Sequence, residues 1–429
     1  MTGEPPRRAP VGWMIACLAS VMLAAACGSS AKGPSAGGPT AETGSGGSHG
    51  SITVGLMTSF TGPQAAGFTT VAAGFDSRIA LQNAAGGVDG RKIKVVNGDD
   101  QGTPTGALAA GQTLASQDGA LALATVSTVA YGAAHYFTEN NVPVVGSPID
   151  SDEWAPPNSN MFPTYGSYSS KYPAPRWMGT FFRQRGARSV AVIAFSSPAS
   201  VANAKNVATS IRAAGLTVGY LNFTLPPTQE GNFGSIIQQI KQQGVDAVYV
   251  EDLPTASFAM LAEMAQAGLH VKAVLTLLSP PAAVFQNPQA RAVAQGTWTW
   301  TPWVPAGLRT PATLAFQAAL RKYAHQTAAP DRNEYDGWAA ASAFVRGLEA
   351  AGPNPTRASF IAGLRRVTDF SADGLLVSPV NFQASFGTGA VGAGPSPGDC
   401  VYVQQYVGTE YVPKPQPICG GLIPNSNAG

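Results

Sequence analysis

The side chains best suited to nucleophilic, redox or metal chemistry in this chain are four cysteines and four histidines. His49, His135, His270 and His325 stand far apart, and no Cys-x-x-Cys occurs, so the spacing of a metal site is missing. Gly46-Gly47-Ser48-His49-Gly50 fits the G-x-S-x-G of a nucleophile elbow. An elbow needs a strand before it and a helix after it, and this match lies in a Gly/Ser-rich stretch. Gly387-Thr388-Gly389-Ala390-Val391-Gly392 fits a phosphate-cradling G-x-G-x-x-G, but Gly394-Pro395-Ser396-Pro397-Gly398 follows where a helix must start. Both matches read as chance. A dispersed Ser/His/Asp set leaves no local signature, so an exported hydrolase stays as an alternative to a binding protein. The run Trp298-Thr299-Trp300-Thr301-Pro302-Trp303 is unusual. On a strand, Trp298 and Trp300 share one face. Such rings, with Trp154, fit either the wall of an apolar pocket or a packed core.

Alternating strands and helices must position whatever site exists. From residue 51 the pattern reads strand 52–57, a helix with apolar positions from Val71, strand 93–97, helix 105–117, strand 120–126, helix 131–140 and strand 142–146. Residues 151–175 interrupt it with Pro, Tyr and Ser. It resumes as strand 189–195, helix 199–214, strand 216–223, helix 233–243, strand 246–251, helix 255–267 and strand 271–277. Helices follow at 311–325, 335–351 and 357–367, then β-rich pieces at 374–382 and 401–412. Short connections between such elements signal parallel sheets covered on both faces. The fold class is α/β, with two doubly wound parallel-sheet lobes joined by a multi-strand hinge. Lobe 1 takes residues 51–163 plus 302–376, and lobe 2 takes residues 164–301 plus 377–429. The hinge is placed at 162–167, 298–303 and 376–382. In open α/β sheets, ligands bind beyond the carboxyl ends of the strands.

Composition narrows the classes further. The formal net charge is +2, and no Lys/Arg stripe marks a nucleic-acid footprint. Arg7 and Arg8 precede an apolar run, 11–26, that ends Leu23-Ala24-Ala25-Ala26-Cys27. That is a secretory leader, slightly short for a bilayer span of roughly 20 residues. The final tetrapeptide resembles the lipobox of bacterial lipoproteins, in which the cysteine is lipidated and becomes the N-terminus. Ala24 stands where Leu is usual. A plain secretory cut is the other reading. Residues 28–50 are almost all Gly, Ser, Ala, Thr and Pro, a tether with a reach of about 25–30 Å. Outside the cytoplasm, Cys400 and Cys419 are expected to pair.

Gly55-Leu56-Met57-Thr58-Ser59-Phe60-Thr61-Gly62-Pro63 resembles the opening strand and loop of type I periplasmic solute-binding proteins, most of all their leucine/isoleucine/valine-binding branch. Asn83-Ala84-Ala85-Gly86-Gly87-Val88-Asp89-Gly90-Arg91-Lys92-Ile93, then Asp99-Asp100 with Pro104, is similar to the connections that follow in that branch. Asp373-Gly374 and Asn381-Phe382 resemble its closing segment. The resemblance runs from about Ser51 to Val412. It implies a bilobed, non-enzymatic, cofactor-free binder that delivers a small solute to an ABC-type permease. A monomer outside the cytoplasm, held to the membrane through Cys27, is expected. A module signalling to a membrane receptor is the alternative.

By that resemblance, Ser127 and Thr128 meet a ligand carboxylate with hydroxyls and helix-start N–H groups. Plain helix capping is the other reading. Ile149, Asp150 and Ser151 bind through backbone and hydroxyl groups, and Phe68 covers the ligand. In lobe 2 the branch has an aromatic where this chain has Leu253, an acidic residue for the ligand ammonium where it has Leu277, and another aromatic where it has Ser200. Glu251 and Asp252 end a strand there, either as substitute cation partners or as solvated strand ends. Asp150 is another candidate counter-charge.

Overall fold

A computed structural model describes residues 50–149, 152–166, 173–226, 231–251, 254–277, 287–386 and 400–424. The leader, the tether, Cys27 and both glycine motifs up to Ser48, His49 and Gly392 lie outside them. Residues 48–429 form one compact unit.

The first sheet has five parallel strands in the order β2-β1-β3-β4-β5: β1 Ile52–Thr58, β2 Ile93–Asp99, β3 Ala122–Val126, β4 Val144–Ser147 and β5 Met161–Pro163. Helices α1 Val71–Ala84, α2 Pro104–Gln112 and α3 Tyr131–Glu139 connect the first four strands. The side chains alternate between two buried faces. Met57, Leu123, Val144 and Met161 join Phe137 of α3 and Leu114 in one core. Val54, Leu56, Ala124 and Val126 turn the other way, onto Phe75 of α1. A sheet buried on both faces is apolar at nearly every position, which is why β3 reads ALATV, with Thr125 its one polar side chain.

After α4 Trp177–Gln184 comes the second sheet, ordered β12-β11-β10-β9-β8-β6-β7. Its parallel part is β6 Ser189–Phe195, β7 Thr217–Leu225, β8 Ala247–Glu251, β9 Ala273–Thr276 and β10 Trp298–Thr301. It is linked by α5 Pro198–Ala213, α6 Gly234–Gln242, α7 Pro254–Gln266 and α8 Pro288–Ala294. Ile193 and Val250 face α6 and α7, whereas Val192 and Tyr249 face the core shared with α4 and α5. Antiparallel β11 Cys400–Val407 and β12 Glu410–Pro413 extend the sheet, and β13 Ile418–Cys419 pairs with β11. The Cys400–Cys419 disulfide joins that last pair.

Between β10 and β11 the chain forms α9 Pro311–Tyr323, α10 Arg332–Ala351, α11 Arg357–Leu364 and the short α12 Phe382–Phe386. Helix α10 lies along α1 and reaches β3 and β4, so these helices cover the first sheet. The β-rich piece expected at 374–382 is reduced to isolated bridges, Trp303 with Leu376 and Phe370 with Val380. The reason is a tight turn: Ala372, Asp373 and Gly374 all have positive φ, which breaks a strand before it can pair.

Three described segments lie together between the sheets. The first follows β5, the second follows β10, and the third approaches through Leu376. Val304 N–H donates to Leu375 O at 2.7 Å and Val377 N–H to Pro302 O at 3.0 Å, tying the second to the third. The Tyr165 and Trp303 rings meet edge-on at 5.4 Å, tying the first to the second.

Candidate functional site

The carboxyl ends of β1, β3, β4 and β5 and the starts of α1 and α10 gather at one edge of the first sheet. Helix α1 begins beside α10 because Thr70 Oγ1 donates to Asp331 Oδ1 at 2.8 Å and Asn333 Nδ2 donates to the Gly67 carbonyl at 2.6 Å. The loop before α1 is shaped by the Asp99-Asp100 pair. Asp99 Oδ1 accepts from the Phe60 and Thr61 N–H groups, and Asp100 Oδ1 accepts from the Ser59 hydroxyl. Burial pushes the Asp99 carboxyl up, but its bonds from Thr61, Gln101 and Phe60 together hold it below the usual range. Gly62 turns this loop at φ 87°, where a methyl group would meet the Gln101 carbonyl oxygen at 2.2 Å.

The expected lobe-1 residues sit along this edge. Ser127 is buried, and its Oγ accepts from the Val129 N–H at 3.1 Å, so its hydroxyl turns the chain toward α3. The half-buried Thr128 hydroxyl donates to Gln64 Oε1, on the loop that carries Phe68. Phe68 is half-buried against the core. Ile149, two residues past β4, is also half-buried, and its N–H donates to the Ser147 carbonyl at 3.0 Å. Asp150 and Ser151 lie outside the described residues, as do Asp252 and Leu253.

On the second sheet Glu251 is the last residue of β8 and is 3% exposed. Its Oε2 accepts from Asn203 Nδ2 at 2.5 Å and from the Tyr249 hydroxyl at 3.2 Å, and Asn203 Nδ2 also reaches Tyr249 OH at 2.9 Å. This is a buried trio at a strand end rather than a solvated carboxylate. Leu277 follows β9, half-buried against the core. Ser200 is buried in the first turn of α5, where its N–H donates to the cap Ser197 Oγ.

The aromatic candidates are not brought to either edge. Trp300 lies 4.9 Å from Trp177 of α4 and Trp298 lies 5.6 Å from Phe181 of α4, centroid to centroid. Arg185 stacks over the Trp298 ring at 4.0 Å. Both rings therefore pack between β10 and α4. Trp154 is fully buried in the core beneath α2 and α3.

Sequence reasoning passed over a polar cluster beside Ile149. The Ser147 and Tyr165 hydroxyls are 2.7 Å apart, and Arg332 Nη2 donates to Tyr165 OH at 2.7 Å. Arg332 Nε lies 3.4 Å from Asp336 Oδ2. Ser147 and Trp303 face the Asp336 carboxyl, which burial pushes up to about 6 against the pull of Arg332. The signal available in the sequence was the i, i+4 spacing of Arg332 and Asp336 at a helix start. Among the described residues no group of three His, Cys, Asp or Glu side chains could hold a metal, and no helix is long and apolar enough to cross a membrane.

The family model described as "Periplasmic binding protein" matches residues 51–409. No curated protein matches the chain by sequence. Among solved structures, a benzoate-bound ABC-transporter solute-binding protein from R. palustris is 19% identical, with a TM-score of 0.69 over 88% of this chain and 98% of its own. A fatty acid ABC transporter substrate-binding protein from Thermomonospora curvata is 17% identical, with a TM-score of 0.71 over 88% and 94%. An isoleucine-bound branched-chain amino acid transporter substrate-binding protein from Streptococcus pneumoniae is 18% identical, with a TM-score of 0.66 over 85% and 100%.

Proposed function

The chain belongs to the periplasmic binding protein family, and on that premise we propose that it captures a small solute outside the cytoplasm and delivers it to an ABC-type permease. The observation that carries this reading is the polar edge of the first sheet. There the Thr128 hydroxyl joins the loop after β3 to the Gln64–Phe68 loop, which the α1–α10 contacts hold in place, and Ser127 and Ile149 stand at the ends of neighbouring strands β3 and β4. Residues 51–163 plus 302–376 form one lobe and residues 164–301 plus 377–429 the other, and the ligand lies between them. Contacts from both lobes favour a closed state, and closure signals occupancy to the permease. The module is a monomer that binds without chemistry. Asp150, Ser151, Asp252 and Leu253 complete the ligand shell beside Glu251 and Leu277, and lipidated Cys27 holds the tether to the membrane.

Those relatives carry benzoate, fatty acid and isoleucine in their names. Together with Leu277, where an acidic ammonium partner is expected, they favour a small carboxylate- or amide-bearing ligand over a branched-chain amino acid alone. A thermal-shift screen of the purified protein against amino acids, amides, short-chain acids and aromatic acids tests this. A binder at about 100 times its dissociation constant adds roughly 2.7 kcal/mol. A shift confined to one chemical class supports the reading, and a folded protein that no solute stabilises speaks against it.

A further inference from the structure

We infer that Arg332 is the anion partner of the ligand, and that the solute is an organic acid without an ammonium group beside its carboxylate. The inference rests on the solute-binding reading above and names its substrate class.

Arg332 is the first residue of α10, and its neighbours fix where it stands. Asp331 is held by the Thr70 hydroxyl, and Asn333 holds the Gly67 carbonyl, so the cation begins beside the Phe68 loop. Its far end reaches Tyr165 OH, which meets Ser147 Oγ, two residues before Ile149. The guanidinium itself bonds Tyr165 and Asp336, and through Tyr165 and Ser147 it is linked to the strand end that leads to Ile149, while its helix start stands beside the Phe68 loop. It also lies outward of its counter-ion: the Arg332 side chain is 12% exposed and that of Asp336 is 1% exposed. A fork of N–H donors near a strand-end edge matches a carboxylate. The nearby Asp331 carboxylate is bonded to Thr70 and to the Asn333 and Glu334 N–H groups of its own helix.

The second sheet completes the argument. An amino acid ligand needs a carboxylate for its ammonium, and Glu251 is buried with Asn203 and Tyr249 bonded to it. Leu277 supplies no charge. Asp150 and Asp252 fall outside the described residues, and an amino acid arm of the test covers them.

The test is calorimetry of the purified protein with matched pairs, benzoate against benzamide and octanoate against octanamide, with isoleucine alongside. At least one acid is expected to bind, and its amide to bind about 30-fold more weakly or worse. Arg332→Gln alone would strand Asp336, so the paired variant Arg332→Gln/Asp336→Asn removes both charges, with the Asn isosteric to the carboxyl it replaces. It is expected to melt cooperatively and to bind the acid about 30-fold more weakly. Arg332→Lys, which keeps the charge and loses the fork, is expected to fall between, and it carries the test if the paired variant does not fold. An amide that binds as well as its acid overturns the inference, as does an acid whose affinity neither variant lowers. Binding of isoleucine or an amide but of neither acid also overturns it, while leaving solute capture standing. If no compound binds, both readings fall.

Discussion

Gly337 of α10 lies so close to α1 that a methyl group on it would sit 2.2 Å from the Val71 carbonyl oxygen. The relationship is reciprocal, because a methyl on Gly74 of α1 would sit 2.0 Å from the Glu334 carbonyl oxygen. The two helices therefore meet backbone to backbone, and that contact sets the bonds from Thr70 to Asp331 and from Asn333 to Gly67. Gly337→Ala is expected to cost about 1–3 kcal/mol, the range for overpacking a filled interior. Urea denaturation reads this out, and a midpoint equal to that of the parent would show that the helices part without penalty.

Thr128 offers a cleaner test of the ligand edge. Its hydroxyl meets Gln64 across the loops, but the residue is only half-buried, so removing the hydroxyl leaves no large cavity. Thr128→Ala is expected to weaken binding of any solute found in the screen about 10-fold while moving the melting temperature little. Unchanged affinity by calorimetry would take Thr128 out of the site.

Much of the scaffold is legible in the residues because its signals are local. The runs that become β1, β3, β6 and β8 are short, apolar and bounded by turns, as strands buried on both faces must be. Helix α4 and strand β5 escaped, since both adjoin the Pro- and Tyr-rich interruption, and β5 has just three residues, Met161–Pro163. The site is less legible. Ser127 and Thr128 stand at a strand end, and it is the family resemblance that singles them out. Arg332, by contrast, meets Tyr165 across 167 residues of sequence, a proximity that no local pattern encodes. The Trp298 and Trp300 pair shows the converse limit. Alternation placed both rings on one face, but only the packing of α4 against that face decides what they touch.

The Cys400–Cys419 bridge closes a loop that runs through the β11–β12 hairpin and back to β13. Beyond it, Arg176 N–H donates to Gly421 O and Ile423 N–H donates to Ala174 O, so the C-terminal segment also fastens the start of α4. Opening the bridge is expected to lower stability by about 3 kcal/mol, from the freedom returned to the unfolded chain. Melting with and without reductant checks the effect, and two alkylatable thiols in the oxidised, denatured protein would remove its basis.

Stability should also depend on pH in a direction set by α10. Glu334 is fully buried, and its Oε2 accepts from the Asp331 N–H at 2.8 Å. Burial, helped by the charge of Asp331, pushes its carboxyl up to about 7 from 4.5, and burial pushes Asp336 up to about 6 from 3.8. Between those values the folded protein holds protons that the unfolded chain has released. The resulting stabilisation is fully present below about pH 4 and is lost as pH rises through 6 and 7. Glu334 alone accounts for a change on the order of 3 kcal/mol. Asp99 and Asp246, whose carboxyls are held below the usual range, act the other way and lose their contribution in stronger acid. The protein is therefore expected to be most stable near pH 4 and to weaken steadily toward pH 8. Glu334→Gln keeps the acceptor for the Asp331 N–H but cannot ionise, so it should flatten the fall between pH 5 and 7. Denaturant midpoints at pH 5, 6, 7 and 8 for both proteins give the comparison, and two parallel profiles would mean that Glu334 does not titrate in that window.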